Sequence, residues 1–150
     1  MNYYLLTFLL FFYSCQDNLE SKYDKALLHK ENKEYRESNI LLYDIINSAD
    51  SSEEIKVKAH FLSAQIFYDL KNYRESIESY KKILTISSDN PLRKKSLFMI
   101  AYTYFNDLEM YTHSLDYYNI FKTEYPNDEL IDAVNFELEQ INEIISKKTD

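Results

Sequence analysis

The stretch Tyr35-Arg36-Glu37-Ser38 recurs unchanged as Tyr73-Arg74-Glu75-Ser76, thirty-eight residues further along. The same step takes Ala26 to Ala64, Ile45 to Ile83 and Ile46 to Leu84. A second step takes Tyr73 to Tyr111, Ser76 to Ser114, Tyr80 to Tyr118 and Ile83 to Phe121. Self-similarity with a period between about 20 and 50 residues means a stack of supersecondary units, each too small to bury its apolar face alone.

What the units are made of follows from what the chain lacks. Its 150 residues include no glycine and two prolines. The tight turns of β-hairpins and phosphate-cradling loops need positive φ, which glycine supplies without steric cost. Helices joined by short polar turns can dispense with glycine, and asparagine is the expected occupant of their left-handed positions. Hydrophobic residues at 45% and charged residues at 28% give a globular balance, and the length suffices for one domain with a sizeable core. The fold class is therefore all-α.

Each unit reads as two helices. In the second, Val57, Phe61, Ala64, Phe67 and Tyr68 mark one face of a helix over about 55–70, and Tyr73, Ile77, Tyr80, Ile83 and Leu84 mark another over 73–86. Steps of three and four are the helical period. Lys71-Asn72 makes the turn, and the Ser87–Pro91 cluster ends the unit, because such residues favour turns and proline restricts its predecessor. The third unit repeats the pattern with Leu97, Ile100, Ala101 and Tyr104, then Tyr111, Leu115, Tyr118 and Phe121, with one extra residue in the Asn106–Met110 turn. The first unit is sparser: Leu19, Tyr23, Ala26 and Leu27 give way to His29, Lys30 and Glu31. Terminal repeats are often atypical, since one face lacks a neighbour. The units are expected at about 19–49, 55–88 and 93–125. After Tyr125-Pro126, Asn127 is the expected N-cap of a closing helix over 128–147, with Asp128 and Glu129 at its positive end and Ile131, Val134, Leu138, Ile141 and Ile145 on one face. That helix is expected to cover the open end of the stack.

Laid on the tetratricopeptide pattern, Ala64 falls at the small position of the first helix and Phe67 at the aromatic one; Tyr73 opens the second helix, Ser76 takes its small position and Tyr80 the aromatic after it. Residues 19–126 resemble three tetratricopeptide repeats, with alanine where a mid-helix glycine is usual and a spacing above the usual roughly 34 residues. Phe121-Lys122-Thr123-Glu124-Tyr125-Pro126 is similar to the unit ends of bacterial outer-membrane assembly lipoproteins and periplasmic cell-division coordinators. The resemblance implies a short solenoid of stacked hairpins that binds proteins or peptides and catalyses nothing. It also implies a concave groove lined by Tyr23 and Leu27 from the first unit, Phe61, Gln65 and Tyr68 from the second, and Phe98, Tyr102 and Phe105 from the third. Aromatic anchors in a desolvated groove are typical of binding hot spots; the other reading is that the closing helix folds over them. Lys58 and Lys95 stand near enough to meet acidic groups on a guest. Two rival functions stay open: a dedicated accessory subunit of an outer-membrane assembly, cell-wall or division machine, and an enzyme with an unrecognised site.

Residues 3–14 carry no charge. The run is short of the roughly 20 apolar residues that span a bilayer and matches the apolar core of a secretory signal. Cys15, the sole cysteine, follows directly. Phe12-Tyr13-Ser14-Cys15 resembles a bacterial lipobox, which implies a leader over 1–14, lipidation at Cys15, a domain over 15–150, and a periplasm-facing anchor in the cell envelope, the outer membrane before the inner. The alternative is an ordinary buried cysteine.

Chemistry is harder to find. His29, His60 and His113 have no partners at metal-ligand spacing, and a chain without glycine has no nucleophile elbow. Glu53-Glu54 and Asp128-Glu129 sit at helix starts, where the dipole explains them. The net charge is −8, and the longest basic cluster, Arg93-Lys94-Lys95, reads as a solvated helix start, so no nucleic-acid partner is expected. Neither a metal, a cofactor nor a small-molecule substrate is expected.

Overall fold

The computed structural model describes residues 19–86 and 90–149. Among them are seven helices and no strand: α1 (Leu19–Glu31), α2 (Tyr35–Asn47), α3 (Glu53–Asp69), α4 (Tyr73–Ile86), α5 (Pro91–Asn106), α6 (Tyr111–Glu124) and α7 (Ile131–Thr149). The expected leader over 1–14 and Cys15 lie outside the described residues. Helices pair as α1–α2, α3–α4 and α5–α6, and each second helix packs on the first helix of the next unit. The first helices also touch in the order α1, α3, α5. This is a short solenoid of hairpins, with α7 packed on α6 at its end.

One hydrogen bond repeats in each hairpin. Ser38 Oγ donates to the Ala26 carbonyl at 2.6 Å, Ser76 Oγ to the Ala64 carbonyl at 2.8 Å, and Ser114 Oγ to the Ala101 carbonyl at 2.8 Å. All six residues are fully buried. Alanine and serine are small enough for the two backbones to approach, and the hydroxyl uses the spare lone pair of a helical carbonyl. The recurring serine of the sequence repeat is thus the rivet of the hairpin, and its net contribution is on the order of 1 kcal/mol per bond.

The turns inside the hairpins correct one expectation. The left-handed residues are Lys33 (φ 62°), Lys71 (φ 61°) and Glu109 (φ 52°), not the neighbouring asparagines. In the first two turns a Schellman pattern closes the helix: Glu34 N–H donates to His29 O and Lys33 N–H to Lys30 O, then Asn72 N–H to Phe67 O and Lys71 N–H to Tyr68 O. The position is dictated by where α1 and α3 must end for the serine to meet the alanine, so a lysine accepts the αL cost of about 1–2 kcal/mol. In the third turn Met110 N–H donates to Tyr104 O, one residue further back, which is where the extra residue sits.

Two helix starts also differ in detail. Asn90 caps α5, its side chain accepting from Leu92 N–H at 2.8 Å, with Pro91 as the first helical residue. Proline there is pre-set for a helix and lacks only a donor that has no partner anyway; it opens the third unit two residues before the expected 93. The closing helix begins at Ile131, not 128, because Asp128 rather than Asn127 organises the turn: its Oδ1 accepts from Leu130 N–H and its carbonyl from Ile131 N–H, both at 3.0 Å.

Arg93-Lys94-Lys95 is not simply a solvated start. Arg93 grips the Glu124 carboxylate with two N–H groups at 3.0 and 2.9 Å and donates a third to Leu84 O at 2.8 Å. Lys94 pairs with Asp128 at 2.5 Å. Only Lys95 of the three is exposed. The planar guanidinium fork explains why arginine holds the two-point contact.

The core falls into three clusters. The first centres on Ala26, Leu42, Ile45, Leu62 and Ile66, the second on Ala64, Ile77, Tyr80, Ile83 and Ile100. In the third, Val134, Leu138 and Ile141 of α7 join Leu97, Ala101, Tyr118 and Phe121. The closing helix therefore does what an adjacent repeat would have done.

Candidate functional site

The face built by the first helices holds a cavity of about 300 Å³. Phe61, Gln65 and Tyr68 of α3 line it, successive residues on one helical stripe, and Phe98 and Met99 of α5 face them. Tyr80, buried beneath, meets Phe61 edge to face with ring centres 5.4 Å apart. Leu130 also lines it, and Lys30, Asp69 and Lys95 carry the charge at the rim.

Four of the eight residues expected in the groove, Phe61, Gln65, Tyr68 and Phe98, come together here. Tyr102 stacks beside Phe98 at 6.2 Å and continues the aromatic strip along α5. The remaining three do not line it: Tyr23 and Leu27 lie against the first cluster, and Phe105 lies against the third, edge to face with Tyr111 at 5.9 Å, while Phe61 and Phe98 pack on the second and third clusters as well as lining the cavity. All eight are half-buried. Phe98 also reaches inward, to Tyr118 and Phe121 at 5.8 and 6.4 Å, so its ring belongs to both core and cavity. Helix α7 packs on the third cluster, and from the region after α6 only Leu130 lines the cavity.

The Tyr68 and Tyr80 phenols are pushed towards their neutral form. Burial first, and then the adjacent Asp107 carboxylate, push Tyr68 up to about 12. Burial raises Tyr80 further and Tyr118 further still. Asp107 lies beside the hydroxyls of Tyr68 and Tyr73. Two buried oxygens have no hydrogen-bond partner among the described residues: Asp107 Oδ2 and the Tyr118 hydroxyl.

The lysines divide. Lys58, expected to meet a guest, is already engaged by Glu54 at 3.0 Å and Glu20 at 3.6 Å. Lys95 stands at the rim. Lys30 joins it there, and its signal was present in the sequence: the repeat offset that relates Tyr23 to Phe61 and Leu27 to Gln65 relates Lys30 to Tyr68. Asp69, Met99 and Leu130 had no such signal, because only packing brings them to the site.

The histidines serve structure. His29 pairs with Glu34 across the first turn, and His113 lies against the Tyr104 ring at 5.1 Å. His60 is half-buried, and burial, followed by Lys82 and Lys56, lowers its affinity for a proton. It lines a second hollow of about 350 Å³ with Tyr43, Ile46 and Phe67. Among the described residues, no group of three or more His, Cys, Asp or Glu is placed to hold a metal ion, and no helix is long and apolar enough to cross a membrane.

Stacked antiparallel hairpins, riveted by a small pair and presenting an aromatic first-helix face, define an all-α helical-repeat protein with tetratricopeptide-like packing. Residues 95–128, from the second turn of α5 through α6 to Asp128, match the family model described as tetratricopeptide repeat. That span is the third unit, the one that also carries the Arg93 clasp at its border. Comparison with curated proteins gives no match. Tetratricopeptide repeats suggest a protein–protein interaction scaffold.

Proposed function

We propose that this chain is a non-catalytic adaptor of the bacterial cell envelope, lipid-anchored through Cys15, that holds a segment of a partner protein against the Phe61–Phe98 cavity. The observation that carries the binding half is the cavity itself, where aromatics of two successive units converge around open volume instead of closing over it. Aromatic side chains offer large apolar area at small entropic cost, and a peptide segment laid across stacked first helices meets several units at once. What supports the anchoring half is the uncharged run over 3–14 ending at Ser14-Cys15. A single acyl chain binds membranes only marginally, so a stable anchor has more than one.

Phe61→Ala combined with Phe98→Ala tests the first half. Affinity capture from detergent-solubilised envelopes should recover a partner with the wild-type chain and lose it with the double variant, while helical circular dichroism persists. Collapse of the helical signal would mark these rings as core only. Cys15→Ala tests the second half: it should move the protein out of the detergent phase or leave it unprocessed. An unmodified Met1 terminus by intact mass, after expression in a bacterium with a lipoprotein-processing envelope, would remove the anchor.

A further inference from the structure

The charge around the cavity runs opposite to that of the whole chain. The net charge is −8, yet the rim carries two lysines and one carboxylate. Lys30 reaches Asp69 only at 3.9 Å, the outer limit of an ion pair. Lys95 is exposed and has no ion pair among the described residues. Neighbouring cations are spent elsewhere: Arg93 on Glu124, Lys94 on Asp128 and Lys58 on Glu54 and Glu20. The two rim lysines come from α1 and α5, the helices that flank α3.

We propose that the cavity selects a partner segment in which one large apolar side chain is flanked by carboxylates, the apolar group entering between Phe61 and Phe98 and the acids meeting Lys30 and Lys95. The inference rests on the groove reading above and names the chemistry of its guest. The size fits: about 300 Å³ lies at the lower end for ligand pockets, room for an anchoring side chain and not for a folded surface. Gln65 makes no side-chain hydrogen bond to any described residue, and its carboxamide has both a donor and an acceptor for one peptide unit of an extended guest. The global negative charge does not decide the matter, because screening over about 8 Å at physiological ionic strength leaves local groups in control. A basic segment would face two lysines with only Asp69 to answer it. Exposed pairs contribute little each, so the aromatic walls supply affinity and the lysines supply selection.

The test is peptide display panned on the full chain in detergent, followed by titration of one enriched, fluorescently labelled, acetylated peptide. Enriched sequences should place Asp or Glu within two residues of Phe, Leu, Tyr or Met. Lys30→Glu with Lys95→Glu should weaken that peptide about ten-fold, while Lys147→Glu, on the far end of α7, leaves it unchanged. Lys30→Gln with Lys95→Gln should give a smaller loss with the same sign, and guards against misfolding of the charge-reversed form. Neutral or basic apolar peptides that bind wild type but not the Phe61→Ala, Phe98→Ala variant would overturn the acid selection and leave the groove standing. Peptides indifferent to those two rings, or no enrichment at all, would overturn both.

Discussion

The two ends of the stack solve the same problem differently. At the third unit, α7 brings Val134, Leu138 and Ile141 onto Leu97, Ala101, Tyr118 and Phe121, and the Arg93–Glu124 fork ties the start of α5 to the end of α6. At the first unit, Leu28, Ile40 and Tyr43 stand 57%, 55% and 69% exposed. Both hairpins carry the same alanine–serine rivet, so the difference does not arise within the hairpin. It lies in what covers the hairpin. A repeat is locally complete and energetically incomplete, and its neighbour determines how much of its apolar surface leaves water.

The largest expected effect breaks this comparison by making the two ends alike. A chain ended after Glu129 loses the three buried side chains of α7, each worth about 1.5–3 kcal/mol of burial, so a loss on the order of 5 kcal/mol is expected. Hydrogen exchange should rise first in α5 and α6 and leave α1–α4 protected. Uniform exchange along the chain would mean that the ends do not fold as separate units.

Ala64→Phe should come next. Ala64 is fully buried in the middle hairpin, confined on both sides, and overpacking there should cost about 1–3 kcal/mol or more. The same change at Ala26 should fall at the low end of that range, because α1 has a neighbour on one side only among the described helices and can shift outward. Denaturant midpoints measure both; equal costs would show that the first unit is as constrained as the second.

Removing the rivet should not distinguish the ends. Ser38→Ala and Ser114→Ala should each cost about 1 kcal/mol, the net value of a buried hydrogen bond. A clear inequality in thermal melts would tie the serine to the cover of its unit and not to its own hairpin. The smallest effect has the opposite sign. Lys71→Gly relieves a left-handed lysine at the expense of unfolded-state entropy, and a gain of about 0.5–1 kcal/mol is expected. Loss of stability there would show that the Lys71 side chain contributes something the backbone geometry does not account for.

Much of this architecture is legible before folding. The offset that carries Tyr35-Arg36-Glu37-Ser38 onto Tyr73-Arg74-Glu75-Ser76 sets the unit, the helical steps set its two faces, and the extra residue before Tyr111 sits in the turn where the offset places it. Those features are local or periodic, and periodicity survives in one dimension. The stripe Phe61, Gln65, Tyr68 is of the same kind, spanning about two turns of one helix.

What only the tertiary structure decided is where that stripe stays open. Tyr23, Leu27 and Phe105 occupy corresponding positions, and all five rings and side chains pack on the core, yet Phe61 and Phe98 also keep a cavity between them. Nothing within a repeat distinguishes these residues; the distinction comes from which helix lies alongside. The lysines follow the same rule. Lys94 and Lys95 are adjacent and chemically identical, and one is bound to Asp128 while the other faces the rim, because successive residues on a helix point about 100° apart and only the packed fold determines what each direction meets. Sequence alone therefore determined the repeat, its helices and its rivets, which depend on spacing along the chain. The fold determined the site, which depends on spacing across it.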